Sequence, residues 1–154
     1  MKLMVIDGNS IINRAYYGIR PLTNREGLYT HAIFGFLTTL LRLVGEEAPD
    51  ALCVTFDVHA PTFRHTADET YKATRKPMPE ELRMQVPVLK EVLDALNIPR
   101  YELEGWEADD LIKSITTAAP FSFSFIAVNT SFKGTSSVSV YMAISPKEII
   151  FSLP

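Results

Sequence analysis

The chain has 154 residues, of which 47% are hydrophobic and 21% charged, with a net charge of −3. Such a length suits one domain or a piece of a larger one, and the apolar content can build a core, so disorder is not the default. The acidic balance excludes a wholly basic nucleic-acid binder, though not a local basic track.

Taken in chain order, Leu3-Met4-Val5-Ile6 reads as a short strand ending at Asp7-Gly8-Asn9-Ser10. Its unbroken apolar run suits a parallel sheet covered on both faces. Asn9 or Ser10 is expected to cap a helix from Ile11 to Gly18. A loop follows through Pro21 to Gly27, then a long amphipathic helix over 30–44. Its apolar stripe is predicted to be Ile33, Phe34, Leu37, Leu40, Leu41 and Val44. Pro49-Asp50 ends that element, and Ala51 to Phe56 is a second buried strand that stops at Asp57. Strand, crossover helix and strand form a right-handed βαβ unit, whose strand carboxyl ends carry the site in sheets of this kind.

Residues 58–79 are polar and basic, without a helical pattern. A helix is predicted from Pro79 or Glu80 to Leu96, with Pro87 kinking it or dividing it in two. A short extended piece spans 98–103, and Glu107 opens another helix to about Thr117. Beyond Ile112 the composition changes, with Glu148 the only acid. Strands are predicted at 126–128, 138–141 and 149–151. Two parts are expected, 1–112 and a diverged tail 113–154 whose strands complete the sheet.

The most informative feature is Glu107-Ala108-Asp109-Asp110, which follows Gly105-Trp106. Alone, it could be an ordinary charged helix start, since helix N-termini favour acids. Asp7 and Asp57 could each be a turn or cap residue. Together they are harder to explain as caps, because gathered carboxylates are costly unless a cation neutralises them. Oxygen donors without His or Cys favour magnesium or manganese.

A second constellation is Phe63-Arg64-His65 followed by Tyr71-Lys72-Ala73-Thr74-Arg75-Lys76. As a charge run alone it could be a solvated loop. Arg64, Lys72, Arg75 and Lys76 suit phosphates, and the interleaved aromatics can stack on unpaired bases. Arg14 and Tyr17 lie just beyond Asp7 and are candidates for the same mouth, or for ordinary helix surface. His31, His59 and His65 have no metal-ligand spacing and read as surface or packing residues. Cys53, the only cysteine, reads as a buried structural thiol. With no disulfide, no signal peptide and no apolar stretch of membrane-spanning length, a cytoplasmic location is expected.

These residues, in this order, resemble the 5′-nuclease domains of bacterial DNA polymerase I. The likeness runs through Met4-Val5-Ile6-Asp7-Gly8-Asn9-Ser10, Thr30-His31-Ala32-Ile33-Phe34-Gly35-Phe36, Val54-Thr55-Phe56-Asp57, Thr62-Phe63-Arg64-His65, Tyr71-Lys72-Ala73-Thr74-Arg75 and Gly105-Trp106-Glu107-Ala108-Asp109-Asp110. The resemblance implies the flap-endonuclease group: an α/β, PIN-like fold with a mostly parallel sheet flanked by helices, here incomplete at its C-terminus. It implies a DNA-binding hydrolase of replication and repair that uses two divalent ions, usually Mg2+ and alternatively Mn2+, to cut 5′ flaps or 5′ ends. It implies Asp7, Asp57, Glu107, Asp109 and Asp110 as metal ligands, with Asp7, Asp109 and Lys72 carrying catalysis. It further implies Arg14, Arg64, Tyr71, Lys72 and Arg75 on the DNA, to which the residue pattern adds Tyr17 and Lys76, and neither a membrane nor a small-molecule cofactor is expected.

One departure is chemical. The family follows its acidic helix with a strand ending in Thr-Gly-Asp-x-Asp, whereas this chain has Asn129-Thr130-Ser131-Phe132-Lys133. Ser131 and Lys133 stand about where two acids complete the metal site, so impaired catalysis is expected. The alternative is a catalytically inactive DNA-binding fragment. A phosphatase acting on small substrates through Asp7 is a third reading, disfavoured by the basic aromatic segment.

Overall fold

The computed structural model describes residues 2–58, 77–118, 124–129 and 139–142. The predicted α/β architecture is present. A five-stranded sheet has the order β3-β2-β1-β4-β5, formed by β1 (Lys2–Asp7), β2 (Ala51–Thr55), β3 (Arg100–Tyr101), β4 (Ser124–Asn129) and β5 (Ser139–Met142). The first four run parallel and β5 closes one edge antiparallel to β4. The helices are α1 (Gly8–Gly18), α2 (His31–Glu47), α3 (Glu80–Arg83), α4 (Gln85–Ala95) and α5 (Ala108–Ala118). The strand predicted at 149–151 lies outside the described residues.

Alternation along the strands sorts the core into two layers. Met4, Ile6, Val54 and Phe56 pack with residues of α1, α2, α3 and α4 on one face. Val5 and Cys53 pack with Ile112 and Ile115 of α5 on the other. Both faces of β1 are therefore covered, which is why its sequence lacks a polar alternation. Cys53 is free and buried, and burial pushes its thiol up to about 11, as a structural cysteine requires.

Three sequence expectations change in detail. Neither Asn9 nor Ser10 caps α1. The helix starts at Gly8, and Asp7 Oδ1 accepts from Ser10 N at 2.9 Å. A carboxylate at the N-cap both satisfies an orphan amide and meets the positive end of the helix dipole. In α2 the buried apolar side is Ala32, Ile33, Phe36, Leu40 and Leu43, while Phe34 and Leu41 are 57% and 70% exposed and Val44 is also exposed. The helix is apolar over most of its circumference, so periodicity alone leaves two stripes to choose between. Third, the break after Glu80 falls at Met84, giving two helices, and Pro87 sits in the first turn of α4, where no amide hydrogen bond is lost.

Candidate metal centre

Asp7 ends β1 and Asp57 lies just past the end of β2. The parallel register sets Asp7 opposite Thr55, so both aspartates reach the carboxyl edge of the sheet. A close contact seats them. A Cβ on Gly8 would lie 2.5 Å from Cε1 of the Phe56 ring, which is fully buried. The residue after one aspartate is thus pressed against the residue before the other, and only glycine permits that approach.

The acids of the third element arrive by a different route. Gly105 adopts a φ of 84°, in the left-handed region that favours glycine, and turns the chain into α5. Ala108 N then donates to Asp57 Oδ1 at 2.7 Å. Asp57 therefore caps the helix that carries Asp109 and Asp110, tying β2 to α5 across 51 residues of sequence. Glu107 N lies 3.4 Å from Asp110 Oδ2 as its acceptor. Glu107, Asp110 and Asp7 are buried, at 8%, 7% and 7% exposure. Asp57 and Asp109 are half-buried.

These carboxylates feel one another. Burial pushes the Asp7 carboxyl up to about 7, and the charges of Asp57 and Asp109 add to the rise, against the hydrogen bond from Ser10. Asp109 is also raised, first by burial and then by Asp57, Glu107 and Asp110, with Lys113 one turn along α5 opposing the rise. Five acids from three elements thus form one electrostatic unit. They are not a ready-made cage: among the described residues no group of three or more His, Cys, Asp or Glu is disposed to hold a metal ion. Backbone amides instead orient Asp7, Asp57 and Asp110. The donor chemistry fits a hard divalent cation, because it is all oxygen and strongly anionic, and each carboxylate has several lone pairs beyond the one given to an amide.

The remaining expected site residues divide in two. Arg14 and Tyr17 are exposed on α1. Arg14 borders the groove between α1 and α2, and Tyr17, 73% exposed, meets Tyr16 edge to face. Arg64, Tyr71, Lys72, Arg75 and Lys76 lie outside the described residues, as do His59, His65, Ser131 and Lys133. His31 is buried, as a packing residue, against Tyr16. Sequence reasoning did not reach the Gly8–Phe56 contact, the Ala108 amide or Lys113. The last was legible in principle, since a lysine four residues after an aspartate shares its helix face. On the far side of β1, the register places Ile6 beside Val128, so β4 also ends at the carboxyl edge, with Asn129 as its last residue.

Comparison with known proteins agrees with this architecture. Residues 2–133 match the family described as 5′-3′ exonuclease, N-terminal resolvase-like domain. DNA polymerase I of Caldicellulosiruptor bescii is 45% identical over 115 residues, which is 75% of this chain and 14% of that polymerase. A 5′-3′ exonuclease of Aquifex aeolicus is 42% identical over 110 residues, covering 71% of this chain and 38% of the relative. The chain therefore spans well under half the length of these relatives. The T5 D15 protein co-crystallised with metal ions shares the fold, with a TM-score of 0.57 at 18% identity, over 82% of this chain and 55% of that one. No helix of the described residues is long and apolar enough to cross a membrane. The strand-end aspartates, the parallel sheet and these matches lead to one conclusion: the chain belongs to the 5′-3′ exonuclease family and carries its N-terminal resolvase-like domain.

Proposed function

We propose that the chain is a metal-dependent 5′-nuclease domain acting on DNA with a 5′ flap or 5′ end, with a catalytic centre that is acidic on only one flank. One observation carries the reading: Asp57 reaches from the end of β2 to cap α5, holding the acids of α5 beside Asp7. Asp7, Asp57, Glu107, Asp109 and Asp110 would hold divalent ions, Mg2+ or Mn2+ by donor chemistry. Such ions, when bound, supply an activated water and a counter-charge for the leaving oxygen of a phosphodiester. A T5 5′-exonuclease with divalent zinc bound supports metal use within this fold, at a TM-score of 0.51.

The chain's own residues do the rest. The buried edge of the sheet keeps Asp7 poorly hydrated, which disfavours its charge until a cation compensates it. Asp57 fixes the height of α5 against β2. Lys72, Arg75 and Tyr71 would meet the phosphates and bases of the strand, adding positive charge where the phosphate is attacked. Asn129 to Lys133 contains no acid, so this flank would hold a second divalent ion poorly and turnover would be impaired. Magnesium-dependent cleavage of a 5′-flap duplex, slow but abolished by Asp7→Asn, is the expected result. Turnover that survives Asp7→Asn would overturn the reading.

The missing acids also favour a second reading, a DNA-binding domain without catalysis. It predicts salt-sensitive binding that is lost in Lys72→Ala with Arg75→Ala, and no metal-dependent cleavage at any concentration of Mg2+ or Mn2+.

A further inference from the structure

A groove of about 270 Å³ lies between α1 and α2. Ile11, Ala15 and Ile19 line it with Gly35, and Arg14, Thr39 and Arg42 supply its polar atoms. The close approach of the helices is set by Gly35, where a Cβ would lie 2.4 Å from Ile19 Cδ1 and 2.7 Å from Ala15 Cβ. Two arginines, one from each helix, therefore border an apolar floor, and among the described residues no acid lines the groove.

Two cations facing one cleft repel each other unless an anion joins them. Among the described residues Arg14 has no ion pair. Among those residues Arg42 pairs with Glu46 on its own helix, at 3.7 Å, with both side chains more than half exposed. Such an exposed pair contributes little and yields readily. Paired guanidiniums with a hydroxyl nearby match the oxygens of a phosphate, and the apolar floor matches the flat face of a sugar or base. Position matters as well. Arg14 is seven residues past Asp7 along α1, roughly 10 Å of helix rise, so a strand engaged at the acidic edge can extend to the groove.

We propose that the α1–α2 groove is a second phosphate subsite, in which Arg42, with Arg14 and Thr39, holds the backbone of the bound nucleic acid a nucleotide or more away from the metal centre. This deepens the proposed function and rests on it for the identity of the ligand. Arg42 is the discriminating residue, because it lies on α2, remote in sequence from every acid of the centre.

The experiment uses the whole chain and a fluorescent 5′-flap duplex, with binding read by anisotropy in Ca2+ across a salt series. Arg42→Ala is expected to weaken binding about tenfold and to lower the slope of log K against log salt by about one, the signature of one lost phosphate contact. Arg42→Lys should restore the slope and only part of the affinity. Magnesium affinity, titrated without DNA, should be the same in Arg42→Ala and wild type. Unchanged affinity and slope in Arg42→Ala would overturn the subsite while leaving the metal centre intact. Inorganic phosphate that binds through Arg42 with no effect of Arg42→Ala on DNA would make this a free-phosphate site and overturn the strand assignment. Wild-type protein that binds no DNA at all would overturn the underlying functional reading, and the subsite with it.

Discussion

Strand β1 has a parallel neighbour on each side, and the two flanks differ in charge. On one side β2 leads into Asp57, which caps α5 and gathers its acids. On the other side β4 ends at Asn129, and no acid follows until Glu148. Both neighbours pair with β1 in regular parallel register. Strand pairing is thus indifferent to the acids, because backbone hydrogen bonds and apolar side chains form the sheet. Buried carboxylates oppose folding through lost hydration and mutual repulsion. An acidic flank therefore adds nothing to the stability of the sheet, and a flank without acids can retain the fold.

The largest expected effect tests that asymmetry directly. The raised folded value of Asp7 means that the neutral acid suits the fold. Its contribution is full below the unfolded value near 3.8 and is lost as the pH rises through about 7. Asp7→Asn keeps a cap acceptor without the charge. In chelator at pH 8 the variant should be more stable than wild type, by up to about 4 kcal/mol, and the advantage should vanish near pH 4. Denaturant titrations at several pH values check this, and a destabilised Asn variant at pH 8 would break the comparison.

Next in size is repair of the other flank. Ser131→Asp combined with Lys133→Asp should raise magnesium-dependent cleavage of a 5′-flap duplex by about a hundredfold, the scale of one strong electrostatic element in a catalytic site. No gain would mean that the missing acids are not what separates the two sides.

A smaller effect belongs to the contact that seats the two aspartates. Gly8→Ala must push against the Phe56 ring, and overpacking of this kind costs about 2 kcal/mol. Thermal melts should show the loss, with weaker divalent binding alongside it. Asp57 gives the finest distinction. Asp57→Ala removes the α5 cap and should cost about 1 kcal/mol, whereas Asp57→Asn should cost much less. Both variants should lose divalent affinity, so calorimetry with Mg2+ separates the cap from the charge. Equal stability of the two variants would show that the cap contributes nothing.

Much of this molecule is legible in its sequence, for definable reasons. Met4-Val5-Ile6 and Cys53-Val54 are apolar without alternation because both sheet faces are covered. Asp7 and Asp57 stand out because each closes such an apolar run at the carboxyl edge of the sheet. The stripe on α2 is a different matter. Periodicity puts Phe34 and Leu41 on the buried stripe and leaves Phe36 and Leu43 off it, whereas the packed helix buries the second pair and turns Gly35 toward Ala15. The cap of α1 lies two or three residues before Asn9 and Ser10, because all three side chains are good caps and only the start of the helix at Gly8 selects Asp7.

By itself, the sequence determined the element types, the two strand-end aspartates and the acidic start of α5, since these depend on local hydrophobic pattern and residue chemistry. The tertiary structure alone decided that Asp57 would cap α5, that Gly8 would lie against Phe56, and that two arginines from different helices would share one groove. Those are contacts between segments distant along the chain. Their geometry follows from how strands and helices pack, and no local pattern encodes it.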